Sequence, residues 1–550
     1  MISITPRTKT FLQNALLLSV VSLLMRGISV GFTAWVNRKI GAESMGLFTL
    51  VMSVYGFAVT LALACVNLAS VRLTSERCAL LDGCDRRSWR YAMGRVIRAV
   101  CLYAAICGTL AGAVLYLTAS PAAEYLLRDL RTVKSLRVLA LSLPAISLSS
   151  ALSGFFTGLR KAAKNAFVSV SEQLAKIAVT STALVMLLPG SVENACLAVV
   201  GGSAAAEAWS LIWNILLCMT DSGRPAGVSY GGKSLRLNTT LRDAASIALP
   251  SAAGACARQG LTTLEHLAIP AGLAKSGLNR EAALASYGLL QGIAFPLVMF
   301  PYAVIGSFTS LLIPEMAERH ALDDKSGISR LTERVFRASA VFSVGACGIF
   351  VCFAPELGTL VYHSEEAAVY TLQLGLLVPL MYLDTAVDAL LKGLGEQVYI
   401  MKVNMADAAC GLVLVVLLTP VMGIAGYILC IWICEAGNLW ASIRRLGKIT
   451  GMGLQSAAGH YIRPVLVCLT AGILRFTCMG NLPPVPAMAV FAALYLAGNV
   501  MPARPVKPTA LRIPVHPEIK KNPRSADSVR SAEQDKKTAD TSADSECACQ

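Results

Sequence analysis

Residues 11–36 read FLQNALLLSVVSLLMRGISVGFTAWV. This run is almost wholly apolar and longer than the about 20 residues a helix needs to cross a bilayer. At its centre stands one cation, Arg26. Placing arginine at that depth costs about 2.5–3.5 kcal/mol on insertion scales, so an intramembrane charge carries a functional reading by default. Two readings are open. Arg26 is neutralised by a buried carboxylate or snorkels to an interface, or it faces a polar cavity and meets an anion there. The long apolar flanks on both sides work against snorkelling. Gly27 and Gly31 follow at the GxxxG spacing that lets a second helix approach.

The other 500-odd residues continue the pattern. Of 550 residues, 55% are hydrophobic and 15% charged, which excludes an ordinary soluble domain and indicates an all-α polytopic membrane protein. The 17 cysteines mostly sit singly in apolar runs, as with Cys101, Cys347 and Cys410, and read as small buried hydrophobes. Cys547 and Cys549, in a polar tail without a nearby histidine, are a weak metal signal, so no metal site is assigned. The net charge of +15 would suggest nucleic acid in a soluble chain. Here it is concentrated in particular loops, which is a topology signal, and no nucleic-acid partner is expected.

About fourteen spans are legible: 11–36, 46–71, 96–119, 138–158, 166–188, 195–219, 244–268, 286–313, 336–354, 369–391, 403–419, 421–442, 462–479 and 485–501. Even-numbered loops are mostly basic, with Arg72, Arg77, Arg86, Arg87, Arg90 and Arg95 after the second span and Arg444, Arg445 and Lys448 after the twelfth. Odd-numbered loops are mostly short or acidic, as with Glu193, Glu356, Glu365 and Glu366. The positive-inside rule then puts both termini in the cytoplasm, with the spans in contact with membrane lipid.

The two halves repeat. Pro144, Gly158 and Leu159 in span 4 match Pro379, Gly393 and Leu394 in span 10 without gaps. Gly46, Leu47, Glu76 and Arg77 likewise match Gly288, Leu289, Glu318 and Arg319. An even number of spans per copy makes the repeats parallel. The expected organisation is an N-lobe of spans 1–6 (1–219), an inter-lobe loop (220–243), a C-lobe of spans 7–12 (244–442), two extra spans (443–501) and a disordered tail (502–550). Two such copies around a midplane site are the architecture of alternating-access transporters.

With the repeat in view, KTFLQNALLLSVVSLLMRGISVGFTAWVNRKIGAESMGL, FPLVMFPYAVIGSFTSLLIPEMAE and KGLGEQ resemble the stage V sporulation protein B family. That family is a polysaccharide-transporter branch of the multidrug/oligosaccharidyl-lipid/polysaccharide (MOP) superfamily. The resemblance covers about residues 9–500. It implies a MATE-like fold of two six-helix lobes plus two helices. It also implies export of an undecaprenyl-linked sugar or peptidoglycan precursor for the spore cortex or cell envelope, alongside envelope-synthesis machinery. Related lipid II flippases line their cavity with several arginines, one in the first helix, and Arg26 matches that one. Span 2 here contains no arginine.

Other ionisable residues fall inside spans. Arg258 is a second buried cation and the expected other-lobe partner of Arg26 for substrate; Glu265 lies two turns on, along the same face. Asp384 and Asp388 stand one turn apart where span 4 has Ser149 and Ser153, a stacking that suits a proton relay or a wet vestibule. Asn404 and Asp407 offer oxygen ligands for Na⁺. Glu172 and Lys176 form an i,i+4 pair that reads as self-neutralised, and Glu207 and Glu435 read as single acids. Neither a catalytic constellation nor a phosphate loop is present, so the chain reads as a secondary transporter, not an enzyme, with H⁺ or Na⁺ as coupling ion and no cofactor. A cation-coupled drug exporter and a non-transporting scaffold are the alternatives. A reporter fused after Gln550 should report cytoplasm and one inserted between Glu356 and Glu366 the exterior; an exterior C-terminus contradicts the topology.

Overall fold

The structure, a computed structural model, describes residues 6–80, 86–159, 161–187, 192–220, 237–359, 364–452, 454–478 and 482–500. Most of the expected inter-lobe loop, the tail from residue 501 and Cys547 and Cys549 lie outside the described residues. The first lobe holds α1 (Pro6–Leu63), α2 (Val66–Leu80), α3 (Arg86–Pro121), α4 (Val133–Gly158), α5 (Ala162–Leu187) and α6 (Val192–Thr220). The second holds α7 (Leu237–Lys275), α8 (Arg280–Leu289), α9 (Phe295–Val298), α10 (Tyr302–Ala321), α11 (Lys325–Cys352), α12 (Ala354–Leu357), α13 (Glu365–Gly375), α14 (Val378–Gly393), α15 (Gln397–Met422) and α16 (Ile424–Thr450). After these come α17 (Leu454–Gly459), α18 (Ile462–Cys478) and α19 (Pro484–Val500).

Every expected span falls on a helix. Among the described residues nine helices are long and apolar enough to cross a membrane, or ten if α13 and α14, bent by 48°, form one span. One of the nine, Leu24–Cys78, covers expected spans 1 and 2 together. Expected spans 5 and 7 are α5 and α7, which carry charges in their interiors, and span 14 is the 17-residue α19. Boundaries differ from expectation at the basic loops. Arg72 and Arg77 lie on α2, and α3 begins at Arg86, so these cations ride on helices rather than on a loop.

The helices break where the sequence removes a helical option. Gly41 takes φ +80 and separates the first two spans inside α1. Ala64 and Cys65, at φ 36 and 55, part α1 from α2. The backbone freed there is caught by neighbours: Ser147 donates to the Ala62 carbonyl at 3.0 Å and Tyr103 to the Ala64 carbonyl at 3.3 Å. In apolar surroundings such groups need partners from the protein. Span 8 carries a π-turn at Leu290–Ala294 and is interrupted again before Pro301, ahead of α10. Pro379, lacking an N–H, starts α14 beyond the bend from α13.

The repeat is visible atom by atom. A Cβ on Gly158 would lie 2.7 Å from Thr74 Cβ and 3.0 Å from the Val71 carbonyl; one on Gly393 would meet Met316 Cβ at 2.6 Å and the Ile313 carbonyl at 2.8 Å. These are equivalent residues making equivalent contacts in the two lobes. Gly46 and Gly288, also equivalent, pack on each other. A Cβ on Gly46 would stand 2.0 Å from the Leu284 carbonyl, and one on Gly288 2.5 Å from the Ala42 carbonyl. The two contacts interchange when the lobes do, so this glycine pair marks the pseudo-two-fold axis.

Beside it, at the end the charge pattern assigns outward, an ionic cluster ties the lobes. Arg131 reaches Asp129 at 2.7 Å and Glu43 at 3.2 Å. From the second lobe, Arg280 donates to the Leu127 carbonyl at 3.0 Å and stands 3.7 Å from Asp129. Burial pulls the Asp129 carboxyl up, but the hydrogen bonds and charge of Arg131, with Arg280 beyond, outweigh it and hold it below the usual range. A depressed carboxyl pKa stabilises above the ordinary aspartate range, and the contribution is lost as pH falls through the depressed value. Amides of 42–48 and 280–288 should therefore lose hydrogen-exchange protection at acid pH, after correction for intrinsic rates. Asp129→Asn should weaken protection by about tenfold at neutral pH as well, the scale of one charged hydrogen bond; unchanged protection contradicts the latch.

Candidate transport site between the lobes

Arg26 is exposed in the bundle, with its guanidinium 6.0 Å from the centre of the Tyr302 ring on α10. Tyr302 leans on Tyr382 of α14 at 6.0 Å between ring centres, and Tyr382 stacks with Phe342 of α11 at 6.0 Å. The Tyr382 hydroxyl is fixed by donating to the Val298 carbonyl at 2.8 Å. The helices themselves approach here: a Cβ on Gly27 would touch the Phe300 ring at 3.4 Å. Arg26 thus belongs to the N-lobe by sequence and rests on an aromatic shelf of the C-lobe. Among the described residues it has no carboxylate within ion-pair distance.

Arg258 lies elsewhere. Helices α7 and α15 run parallel at one constant register, set by Gly254 on Met401, Glu265 on Gly411 and Gly272 on Thr419. That register puts Arg258 level with the stretch between Asn404 and Asp407. It acts electrostatically on Asp407 and on Asp388 of α14. Asn404 also faces Asp388, and Ser442 of α16 donates to Asp388 at 3.4 Å. Asp384, 8% exposed, keeps one buried carboxyl oxygen without a hydrogen-bond partner. Asp384 senses Asp388, Glu435 and Asp407. Glu265 is set against Gly411 at the level where Asp407 acts on it, not against Arg258.

The structure therefore groups the sequence candidates in two places. Arg26 sits at the α1–α10 contact. Arg258, Glu265, Asp384, Asp388, Asn404 and Asp407 gather inside the C-lobe, joined by Glu435. Sequence reasoning left Glu435 as an isolated acid and missed Tyr302; neither has a local signal, since only the lobe packing brings them in. Among the described residues no three His, Cys, Asp or Glu side chains converge as a set that would hold a metal ion.

Residues 11–320 match the family described as "Polysaccharide biosynthesis protein". The chain belongs to that family. Across 77% of its length it is 25% identical to "Stage V sporulation protein B" of Bacillus subtilis (strain 168), covering 81% of that protein. The fold of this family member is that of MOP-superfamily transporters. It is similar to "Lipid II flippase MurJ, inward closed conformation" at TM-score 0.62 and 11% identity, covering 88% of this chain and 98% of that one. It is also similar to an inward-facing multidrug resistance MATE family transporter at TM-score 0.59 and 15% identity, with 80% and 98% covered. These fold neighbours are transporters and flippases; this chain shares their fold, and its long apolar helices make it a multi-pass membrane protein.

Proposed function

We propose that the protein is a secondary transporter that carries an anionic, undecaprenyl-linked sugar or peptidoglycan precursor outward across the cytoplasmic membrane. The observation that carries this reading is Arg26: a midspan cation, exposed, resting on an aromatic shelf and free of a carboxylate partner among the described residues. A cation kept in that state at membrane depth is best explained by an anion it meets part of the time. Its planar donor set suits phosphate oxygens, which it binds in two-pronged fashion. The match to a polysaccharide biosynthesis family and a lipid II flippase among the fold neighbours agree with a lipid-linked glycan as cargo.

The C-lobe group supplies coupling. Asp384, Asp388, Asp407 and Glu265 concentrate more negative charge than Arg258 and Lys392 offset, and Asn404 adds a neutral oxygen. An entering H⁺ or Na⁺ reduces this excess, which favours movement of the lobe when it is loaded. The membrane potential assists the cargo step. Two negative charges leaving a negative interior gain on the order of 4–5 kcal/mol per 100 mV, at roughly 2.3 kcal/mol for each charge. The same acid group favours the second reading, an exporter of organic cations, which would bind in the C-lobe and leave Arg26 idle.

The test is export of a polyprenyl-diphosphate sugar from vesicles containing the purified protein. Arg26→Ala should reduce the rate at least about tenfold, the scale of one charge-assisted hydrogen bond, and Arg26→Lys should recover only part of it. Both variants should insert normally. Full-rate export by Arg26→Ala, with loss of organic-cation export on removing Asp407, would select the drug-exporter reading.

A further inference from the structure

The C-lobe acids have a counterpart in the N-lobe. Extending the span 4 to span 10 match without gaps pairs Glu172 of α5 with Asp407 of α15, and Lys176 with Gly411. Helix α6 matches α16 at its own constant offset. Lys164 of α5 donates to the Leu217 carbonyl at 3.4 Å, and its equivalent Tyr399 lies under Arg445, the equivalent of Leu217, at 5.3 Å. In that alignment Glu207 pairs with Glu435.

Geometry puts the N-lobe residues on one seam. Helices α5 and α6 are antiparallel, and three contacts fix their register. Thr180 packs into Gly202, whose added Cβ would lie 1.9 Å from the Thr180 hydroxyl. Phe167 meets Trp213 edge-on at 5.0 Å, and Lys164 reaches the Leu217 carbonyl. Between these points Lys176 falls opposite Ala206 and Glu207, and Glu172 opposite Ser210. Electrostatics agrees: Lys176 acts on both carboxylates, and Ser210 faces Glu172. From Ser210 a polar chain runs on to Ser149 of α4 at 3.0 Å and from there to Asn214 at 2.9 Å. Asn214 is 1% exposed, and its carbonyl oxygen is buried without a hydrogen-bond partner.

The charges on this seam do not cancel. Glu172 and Glu207 carry two negative charges and Lys176 one positive. None of the three is within ion-pair distance of another basic or acidic group among the described residues. Among the described residues, the polar side chains that meet this stretch of the seam from α1 and α4 are neutral: the Tyr55 phenol, bonded to Ser142 at 2.7 Å, and the Ser142 and Ser149 hydroxyls. An uncompensated charge inside an apolar bundle is expensive, whereas a neutral one is tolerated. Two carboxylates sharing one ammonium become neutral when they hold one proton. A metal ion fits less well, because the Lys176 ammonium already supplies one positive charge to the two acids.

We propose that the α5–α6 seam of the N-lobe is a proton-binding site. Glu172 and Glu207 share one exchangeable proton, Lys176 is the fixed counter-charge, and the Ser210–Ser149–Asn214 chain is its polar lining. The site takes H⁺ irrespective of cargo, so its existence does not depend on what Arg26 binds. It makes the lobes chemically unequal. The C-lobe seam, where Gly411 replaces the lysine and Glu265 fills the space, needs a cation from outside; the N-lobe carries its own.

The test is labelling of the purified full-length protein with dicyclohexylcarbodiimide, which adds to protonated carboxyl groups in apolar surroundings, mapped by mass spectrometry at several pH values. Wild-type protein should take one label on the seam, on Glu172 or Glu207 but not both, fading at alkaline pH and indifferent to Na⁺. Glu207→Gln leaves one acid beside one base, so label on Glu172 should vanish; Glu172→Gln should do the same for Glu207. Lys176→Met removes the counter-charge, and both glutamates should then be labelled. No label on the wild-type seam, equal label on Glu172 in wild type and Glu207→Gln, or suppression of label by Na⁺ each overturns the proposal.

Discussion

A charge inside a hydrocarbon layer must find an opposite charge, a dense set of hydrogen bonds or water, and this requirement organises the interior of the protein. The three solutions it uses are distinct. Arg26 lies over the Tyr302 ring, where an aromatic face offers a weak substitute for an anion. Glu172 and Glu207 are answered by Lys176 within one lobe. In the C-lobe, Glu265, Asp384, Asp388, Asp407 and Glu435 face Arg258 and Lys392, with too little positive charge among them. Each incomplete balance is a place where something else is bound for part of a cycle.

Rigid packing makes these imbalances consequential. The lobes meet through Gly46 and Gly288, where two backbones lie as close as helices can, because no side chain intervenes. A contact that tight on the pseudo-two-fold axis cannot slide; it can stay or part. The Asp129–Arg280 approach and the Arg280 bond to Leu127 stand beside it and close the same end. Parting there, with the opposite end closing, is the rocking motion that parallel repeats permit. The breaks at Gly41 and at Ala64–Cys65 give the second span hinges on both sides of this contact.

Much of this was legible in the chain. Every run read as a span from its apolar length falls on helix among the described residues, because a chain that must satisfy its own backbone has few alternatives in lipid. The lobe repeat followed from Pro144, Gly158 and their partners, since glycines at close helix crossings leave a fixed spacing. Arg26 was legible for the same energetic reason that makes it rare. Tyr302 was not, because a tyrosine at a span end has many uses and only packing selects one. The link between Glu172 and Asp407 lay in the sequence all along, since it follows from carrying the span 4 match into span 5. Taken alone, Glu172 and Lys176 looked self-sufficient; Glu207 changes that, and it is 31 residues further along the chain on another helix. The cluster of Asp129, Arg131, Glu43 and Arg280 was also hidden, as it joins α1, the turn before α4 and the start of α8, whose proximity only the fold decides.

The central claim is that two pseudo-symmetric lobes part at the Gly46–Gly288 contact when cargo is carried. Spin labels at the exposed Leu130 and Leu278, one on each lobe at the end that contact closes, report it directly in a cysteine-replaced background. Double electron–electron resonance in lipid nanodiscs should give a single short distance in the absence of ligand. Adding a polyprenyl-diphosphate sugar should bring in a second, longer distance, and Arg26→Ala should suppress it. One unchanged distance with and without ligand would contradict the account.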